Sequence, residues 1–531
     1  MRERLREHAG PLAALLFSLT AAAWHFYETG RAASEAGAGW LCGRYLWLFA
    51  CMAFFLAAFY GLFCIKRLHI ESGAFLTVLV LGGFYSFVLP PLSAPDEIAH
   101  FMSAYRLSNV LLNEAPTDEA GRIRIRREDD FLQNMYGSTA AQKGRAVGAV
   151  LDEETYEALR AHALPAFVEK PWQEMLSSSY KSVDTTPLAY VPQAVGITAA
   201  RLLGLNCVLL AYLARFCNLL FYACMLYVSM RLLPFGKPVL FGVSLLPMAL
   251  HQAASCSYDV FVTALVFFFA SYCLRLAFVK PMVQVKDIFV LAVTLAALGP
   301  CKFVYGAVSG FLLLVPVRKF GGPRKWAASA AAVLFAYAAA VAFASFGGIP
   351  AESGLSANVV EWAGEEGYCL GYFRDHPETL FRMVYETFAM QGGEWFLTML
   401  GAKLGGLDPV LNVPFAALFV FFACLVLMSL PSVGEALYLT GMHKFWIVAS
   451  ASAALLGMMA AMLLSWTPLS SPVIQGVQGR YLLPFLPFVL LMLKSGRIRR
   501  ALGSDARLLF YMCVLDGYVL LRLFSIVSLR L

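Results

Sequence analysis

Long apolar runs alternate with short polar segments along most of the chain. A helix needs about 20 mostly apolar residues to cross a bilayer. The first three runs of roughly this length lie at 11–28, 44–65 and 73–90. Arginines precede the first run, and Lys66 and Arg67 separate the second from the third. Because Lys and Arg accumulate on cytoplasmic ends, this pattern predicts a cytoplasmic N-terminus and a chain that is outside the membrane after the third run.

The segment 91–186 contains no run that could span a membrane. It holds fifteen of the 34 acidic residues and ten Lys or Arg residues. A loop of this length is translocated whatever its charge, and long loops commonly carry function. We therefore expect a large acidic extracytoplasmic loop at this point, and we expect the function of the protein to depend on it.

The stretch 187–204 decides the orientation of everything that follows it. If it crossed the membrane, Arg231 and Lys237 would lie outside, and every later basic cluster would be inverted. Pro187, Pro192 and the short length suit a helix that lies flat on the outer surface. With that reading, the later spans are predicted at 208–231, 238–254, 258–279, 286–300, 302–317, 325–346, 409–430, 445–465, 481–494 and 506–528.

The predicted fold is therefore an all-α, polytopic transmembrane bundle of about 13 spans with a juxtamembrane helix. Residues 1–90 form three N-terminal spans, and 91–206 form the acidic loop with its juxtamembrane helices. Residues 207–346 form a transmembrane bundle, 347–408 a second extracytoplasmic loop, and 409–531 the C-terminal spans. We expect the protein to be a multi-pass component of the cytoplasmic membrane.

The composition supports a membrane protein. The chain is 60% hydrophobic and 14% charged, whereas soluble domains average about 25% charged residues. Its basic residues do not gather on a soluble face, which argues against nucleic-acid binding. The twelve cysteines lie mostly in apolar runs without a metal-type spacing, so we read them as small buried hydrophobes. The first run resembles a signal peptide, but the bulky residues at 24–26 make a poor cleavage site and favour a retained signal anchor.

The strongest group of candidate functional residues is LPPLSAPDEIAHF, where the third span leaves the membrane. Prolines end the span, and Asp96 and His100 would share one face of the next helix at i and i+4. A carboxylate pair, Asp96 and Glu97, and a histidine would then lie at the membrane–water boundary. Two other readings remain open. The carboxylates only cap the helix, or Asp96, Glu97 and His100 contribute to a metal site that needs further ligands.

Asp259, in SCSYDVF, begins a predicted span at its outer end. Ionisable residues near membrane depth usually face a cavity and are functional, although Asp259 is equally well explained as a helix cap. Lys302 follows Pro300 and Cys301 on the predicted outer side, where an isolated positive charge is unusual. We expect Lys302 to pair with Asp259 or to hold an anionic headgroup.

The segment QGVQGRYLLP places Arg480 at the outer end of a predicted span. Gly476 and Gly479 allow close backbone approach, and the planar guanidinium suits phosphate. The alternative is an arginine that extends to the interface without a specific ligand. The chain has no GxSxG or HExxH motif and no phosphate-cradling glycine loop, so neither a serine hydrolase nor ATP-driven transport is expected.

Five motifs occur in a fixed order between about 90 and 490: PDEIAHF, TTPLAYVPQA, SCSYD, CKFVYG and GVQGRYLLPFLP. Together they resemble the DUF2142 family of bacterial polytopic membrane proteins. That family is similar in layout to the GT-C superfamily of membrane glycosyltransferases, which use polyprenyl-phosphate-linked sugars. The resemblance implies that Asp96 corresponds to the GT-C acidic residue and that TTPLAY lies in the juxtamembrane helix. The chain departs from the GT-C layout in having an extra hairpin of spans before the acidic loop.

With this resemblance, we expect an inverting glycosyltransferase that faces outward. The sequence specifies no cofactor for it, although a divalent metal is compatible with this reading. Its expected partners are a polyprenyl-phosphate sugar, a cell-envelope acceptor and membrane lipids. Asp96 would be the general base. The other candidate catalytic residues are Glu97 and His100, the donor-binding residues are Arg480, Lys302, Tyr190 and Gln478, and the acceptor-supporting residues are Asp259 and Tyr258. The alternatives are a transporter or flippase of a lipid-linked glycan or other amphiphile, and a membrane scaffold.

Overall fold

The computed structural model describes residues 2–37, 39–66, 68–135, 151–168, 174–183, 185–346, 359–406, 408, 410–431, 439–494, 498–500 and 504–528. Helices dominate the described chain, and its strands form only two short two-stranded sheets. The all-α class predicted from the sequence is confirmed.

The helices of the first half begin with three long ones and continue through the polar loop region. Their bounds are α1 Arg2–Glu35, α2 Trp40–Phe59, α3 Ile70–Val88, α4 Glu97–Leu111, α5 Asp130–Asn134, α6 Glu153–His162, α7 Val191–Leu202 and α8 Cys207–Leu232. A π-helical turn, Tyr60–Ile65, extends α2.

The second half alternates long helices with short or irregular ones. Their bounds are α9 Lys237–Ser244, α10 Pro247–Ala253, α11 Asp259–Phe278, α12 Val285–Leu298, α13 Pro323–Phe346, α14 Leu370–Asp375, α15 Pro377–Leu400, α16 Phe415–Ser429, α17 Gly441–Ser465, α18 Leu486–Leu490 and α19 Asp505–Ser528. The 3₁₀ segments Phe303–Leu314 and Gly479–Leu482 precede α13 and α18 respectively.

Eight helices in the described part of the chain are long and apolar enough to cross a membrane: α1, α2, α3, α8, α11, α13, α17 and α19. The prediction of about 13 spans is not confirmed. The remaining predicted spans correspond to shorter or broken elements. For example, the run 238–254 divides into α9 and α10, because Leu246 precedes Pro247 and is extended rather than helical.

The polar loop after α3 folds against the bundle through its own small core. Strands β1, Arg122–Arg126, and β2, Met175–Lys181, pair antiparallel beside α4. Within this core Tyr105 of α4 donates a 2.6 Å hydrogen bond to Asp129 Oδ2, which also pairs with Arg126. The loop is therefore anchored to α4, the helix that begins directly after Asp96.

The predicted juxtamembrane segment 187–204 forms a 3₁₀ turn, Pro187–Tyr190, followed by the twelve-residue α7. This helix packs closely on α8. A Cβ at Gly196 would lie 2.6 Å from the carbonyl oxygen of Leu213 and 2.8 Å from Cα of Ala214. The absence of a side chain at Gly196 thus allows α7 to contact the backbone of α8.

The segment predicted as a second extracytoplasmic loop contains more helix than expected. Its described part includes the hairpin of β3, Val359–Val360, and β4, Glu365–Glu366, and then α14 and the 24-residue α15. The C-terminal turns of α15 pack against the 3₁₀ segment Gly479–Leu482. This contact brings α15 to the candidate functional site.

Candidate functional site

The chain leaves α3 through a tightly turned segment that ends at Asp96. Two of its non-glycine residues adopt left-handed backbone conformations, Leu92 at φ +64° and Asp96 at φ +60°. Such conformations are uncommon outside glycine and cluster at functional sites. Among the described residues, the Asp96 side chain makes no capping hydrogen bond to the first turn of α4. It points instead to a residue 384 positions later in the chain.

That residue is Arg480. Its Nη2 donates a 3.0 Å hydrogen bond to Asp96 Oδ2, and its Nη1 donates a 3.4 Å bond to the Pro95 carbonyl. On its other side, Nε lies 3.4 Å from Oδ2 of Asp259. The Arg480 side chain is only 4% exposed, whereas that of Asp96 is 49% exposed. Arg480 therefore connects an accessible carboxylate to an enclosed one.

Lys302 completes this group from a third part of the chain. Its Nζ donates a 2.6 Å hydrogen bond to Asp259 Oδ1, which is the pairing expected from the sequence. The ammonium also lies 4.0 Å from the ring centroid of Tyr481 and 5.0 Å from that of Tyr258. We call Asp96, Asp259, Lys302 and Arg480 the charge cluster. It contains two cations and two carboxylates, brought together from the starts of α4 and α11 and from two 3₁₀ segments.

The two glycines before Arg480 have distinct roles in the backbone. Gly476 has φ +87°, a conformation that L side chains rarely adopt. At Gly479, a Cβ would lie 2.1 Å from the Trp395 carbonyl oxygen and 2.5 Å from the Met399 amide nitrogen of α15. The close approach predicted from the glycines is therefore present at Gly479, and it fixes the backbone from which Arg480 extends.

Glu97 lies next to Asp96 in sequence but in a different environment. Its side chain is completely buried and forms a two-point ion pair with Arg215 of α8, at 2.7 and 2.6 Å. Its oxygens also accept from the backbone N–H groups of Ala94 and Cys256. A carboxylate held in this way does not face a substrate, so the geometry gives Glu97 a structural role beside the site rather than direct participation in it.

His100 and two tyrosines form an aromatic wall next to the charge cluster. The Nδ1 atom of His100 lies 3.0 Å from the Tyr190 hydroxyl, and its ring meets Tyr258 edge-on at a centroid distance of 4.8 Å. Burial lowers the pKa of His100 to about 4, despite the opposing influence of Asp96 and Asp259. His100 is therefore a neutral hydrogen-bonding group at neutral pH, and Tyr190 contacts it directly.

Gln478 is the remaining predicted donor-binding residue. Its side-chain oxygen is buried without a hydrogen-bond partner in the described part of the chain. The described residues also contain no group of three or more His, Cys, Asp or Glu side chains that could hold a metal ion. The metal reading of Asp96, Glu97 and His100 is thus not supported, because Glu97 turns away to Arg215.

Three residues that sequence analysis did not single out hold the segment before Asp259. Gln193 donates to the carbonyls of Cys256 and Ser257, and Asn218 donates to those of Ser255 and Ser257. Arg215 reaches the same segment through Glu97, which accepts from the amide of Cys256. One signal for Arg215 was present, because a charged residue inside an apolar run is rare and usually has a specific partner.

A small pocket extends from the charge cluster into the bundle. Arg480 and Asp259 line its polar end together with Gln252, and apolar side chains such as Phe267 of α11 and Leu483 line the remainder. The Nε of Arg480 and the side-chain oxygen of Gln252 have no hydrogen-bond partner among the described residues. The Gln252 oxygen thus gives the pocket an unused acceptor, whereas the Nε of Arg480 faces Asp259 in the 3.4 Å ion pair.

This arrangement suits two kinds of chemistry. Asp96 is a half-exposed carboxylate that can accept a proton from a hydroxyl group. Arg480 and Lys302 are preorganised cations that can stabilise a phosphate oxygen as negative charge develops on it. Asp259 orients both cations, because it contacts each of them.

Comparison with known proteins identifies one family. The model of a family described as predicted membrane protein (DUF2142) matches residues 75–489, which include the whole charge cluster together with Glu97 and Arg215. No curated protein and no solved structure matches the chain. The family resemblance inferred from the five motifs is confirmed, and the chain belongs to the DUF2142 family of predicted membrane proteins.

Proposed function

We propose that this protein is a membrane glycosyltransferase. It would transfer a sugar from a polyprenyl-phosphate carrier to a cell-envelope acceptor on the extracytoplasmic side of the cytoplasmic membrane. The observation that carries the proposal is the contact between half-exposed Asp96 and buried Arg480, which is itself linked to Asp259 and Lys302. A base and two cations that could bind phosphate would then belong to one connected cluster.

In the proposed reaction, Asp96 removes the proton from an acceptor hydroxyl as its oxygen attacks the anomeric carbon of the donor sugar. The bond between that carbon and the phosphate oxygen breaks, and the electron pair leaves with the lipid phosphate. Arg480 and Lys302 stabilise the charge that develops on the leaving phosphate. The anomeric configuration is inverted because the attack occurs in a single displacement. No nucleotide is needed, since the lipid phosphate is the leaving group.

The surrounding residues would act by orientation. Neutral His100, held by Tyr190, provides hydrogen bonds without adding charge beside Asp96. Asp259 keeps Lys302 and Arg480 in place, and Tyr258 and Tyr481 flank the ammonium of Lys302. The folded loop packs on α4 through β1 and β2, and α15 packs on the segment that carries Arg480. In the proposed enzyme, both would select the acceptor.

The test is transfer from a panel of radiolabelled polyprenyl-phosphate sugars to cell-envelope fractions, with purified protein in proteoliposomes. Asp96→Asn should abolish transfer while retaining donor binding, and Arg480→Ala should weaken donor binding. The matched controls are Glu119→Gln, an exposed carboxylate of the same loop, and Arg127→Ala, an arginine that is 67% exposed. Transfer that persists in Asp96→Asn, or that fails equally in the controls, would contradict the proposed site.

One observation favours transport of a lipid-linked glycan as a second candidate. The α9–α10 pair is broken at Pro247, and Asp516 of α19 is buried within the bundle, where the Tyr85 hydroxyl donates to it at 3.0 Å. Broken helices and buried ionisable groups are typical of transporters. In that case, movement of a fluorescent polyprenyl-phosphate sugar between leaflets should require Asp516 and should be unaffected by Asp96→Asn.

A further inference from the structure

Arg215 joins three separate parts of the chain behind the charge cluster. Its guanidinium donates to the carbonyls of Leu89 and Pro90, each at 2.7 Å, and to that of Ser86 at 3.2 Å. These carbonyls belong to the last turn of α3 and to its exit. The same guanidinium forms the two-point ion pair with Glu97. Arg215 thus ties the end of α3 to the first residue of α4.

Glu97 extends this connection in two directions. One of its oxygens accepts from the Ala94 amide at 3.0 Å, inside the turn that precedes Asp96. The other accepts from the Cys256 amide at 2.9 Å, in the segment that leads to Asp259. We call Arg215 and Glu97 together the clamp. The clamp fixes the backbone on which each carboxylate of the charge cluster is carried.

The turn held by the clamp is strained. Leu92 and Asp96 both occupy the left-handed region, which is unfavourable for residues other than glycine. Such conformations persist only where the surrounding structure over-determines them. The three carbonyls bound by Arg215 and the Ala94 amide bound by Glu97 provide that constraint. Without the clamp, the turn would relax and the Asp96 carboxylate would move relative to Arg480.

A buried ion pair is weak evidence for stability, because well-packed apolar residues often replace one without loss. The clamp is better explained by geometry, since Arg215 binds the backbone that leads to Asp96, and Glu97 binds the segments before both Asp96 and Asp259. Neither Arg215 nor Glu97 is exposed, with side chains 1% and 0% accessible. They therefore act through other residues and do not contact a substrate.

We infer that Arg215 and Glu97 are positioning residues. They fix the position of Asp96 relative to Asp259, the two carboxylates that Arg480 contacts. The effect on catalysis that we expect from it rests on the proposed function. The clamp holds the chain before Asp96 at several backbone groups, but it holds the segment before Asp259 only at the Cys256 amide, and Gln193 and Asn218 hold that segment as well. Loss of the clamp should therefore displace mainly the base, lowering kcat and leaving KM for the lipid donor nearly unchanged. A displacement of about 1 Å at a base can cost on the order of 100-fold in rate.

The test compares Arg215→Lys with Arg201→Lys. Lysine keeps the charge, but its single ammonium cannot reproduce the planar set of donors. Arg201 is an equally buried arginine that pairs with Glu114 and Asn109 and contacts neither turn of the site, so it is the matched control. Kinetics would be measured in proteoliposomes, and hydrogen–deuterium exchange would be measured over 89–98 and 254–260 in all three proteins.

The positioning role predicts that Arg215→Lys lowers kcat by roughly 100-fold with KM for the donor within about twofold, and that exchange rises in both segments together. Arg201→Lys should do neither. Equal kinetics and equal exchange in the two variants would overturn the inference, as would a raised donor KM at unchanged kcat. If the wild-type protein transfers no sugar, the proposed function fails. The exchange comparison still decides whether the clamp holds both segments.

Discussion

Replacing Gly479 by alanine tests whether the backbone contact between α15 and the 3₁₀ segment places Arg480. The added Cβ would lie 2.1 Å from the Trp395 carbonyl oxygen, 2.4 Å from the Thr398 hydroxyl and 2.5 Å from the Met399 amide nitrogen. Two of these neighbours are backbone atoms of a 24-residue helix, so they cannot rotate away as the tip of a side chain could.

The required displacement follows from these distances. Real Cβ contacts are essentially never shorter than 3.0 Å. The 2.1 Å distance to the Trp395 carbonyl oxygen must therefore increase by at least 0.9 Å, which requires the two backbones to separate. Over-packing of this kind typically costs about 1–3 kcal/mol of stability. If the 3₁₀ segment moves, the 3.0 Å bond from Arg480 to Asp96 and the 3.4 Å contact with Asp259 lengthen beyond useful range. We therefore expect sugar transfer to fall by roughly 100-fold.

The assay pairs the melting temperature in detergent with the transfer rate, and the control is Gly393→Ala. Gly393 lies in α15 itself, and a Cβ there would meet nothing within 4 Å. Alanine is favoured over glycine within a helix by up to about 1 kcal/mol, so this control should be neutral or stabilising. If Gly479→Ala matches Gly393→Ala in both measurements, the close approach does not determine the position of Arg480.

Three further predictions concern stability in the loop region, measured by thermal or chemical unfolding in detergent. Burial lowers the pKa of His100 to about 4. Between pH 4 and 6.5 the unfolded chain therefore binds a proton at this residue more readily than the folded chain does. As the pH falls through this interval, up to about 3 kcal/mol of stability should be lost. His100→Gln should flatten that dependence, and an unchanged profile would contradict it. Burial raises the pKa of Glu153 to about 7, so the folded state retains a proton there and loses stability as the pH rises from 4.5 through 7. Since neither Glu153 oxygen has a hydrogen-bond partner in the described residues, Glu153→Gln should stabilise the protein by about 1–3 kcal/mol at pH 8 and by little at pH 4. Tyr105→Phe should cost about 1–3 kcal/mol, because it removes the 2.6 Å bond to buried Asp129 and the acceptor of the Arg126 amide. A loss below about 0.5 kcal/mol would show that the two bonds from Arg126 are enough to satisfy Asp129.

Sequence patterns located the charge cluster because each of its members is a charge at the end of an apolar run. Asp96 follows a proline-rich exit, and Asp259 begins a long apolar helix. Lys302 follows Pro300, and Arg480 follows two glycines. The orientation deduced from basic residues placed all four at the same end of the bundle. Their convergence was therefore within reach of the sequence, although the specific pairs, such as Arg480 with both carboxylates, required the structure.

The roles of neighbouring residues were harder to predict. Asp96 and Glu97 are adjacent carboxylic acids, and the apolar pattern around them does not distinguish one from the other. The left-handed backbone at Asp96 separates them, so that one side chain is half exposed and the other completely buried. Arg215 was concealed within the apolar run 208–231, where hydropathy predicts burial but does not predict a partner. Contacts over 118 residues, such as that between Glu97 and Arg215, leave no local pattern.

Hydropathy also could not predict how many spans there are or how regular they are. An apolar run indicates that a segment is buried in lipid or protein, but not that it forms one continuous helix. The run 302–317 forms a 3₁₀ segment, Phe303–Leu314, and the run 238–254 breaks at Pro247. Helix α15 was missed for the opposite reason. Its sequence mixes apolar side chains with charged residues such as Arg382 and Glu386, so it lacks the continuous apolar run of a predicted span.

The charge balance of the cluster leads to a last prediction about Asp96. Its two cations are matched by two carboxylates, so a bound lipid phosphate adds negative charge that nothing else in the cluster compensates. Under the proposed mechanism, Asp96 gains a proton as the leaving phosphate gains charge, which keeps the total charge of the site constant during the reaction.

Asp96→Asn imitates that protonated state and frees Arg480 from one partner. It should therefore bind a polyprenyl monophosphate roughly tenfold more tightly, the ~1.4 kcal/mol expected when one like charge several ångströms away is removed. Competition binding in proteoliposomes measures this, with Glu119→Gln as the control for a lost surface charge. Binding by Asp96→Asn that is equal to or weaker than that of the wild type would mean that the phosphate is not held beside Asp96, and the assignment of Arg480 as its ligand would fail with it.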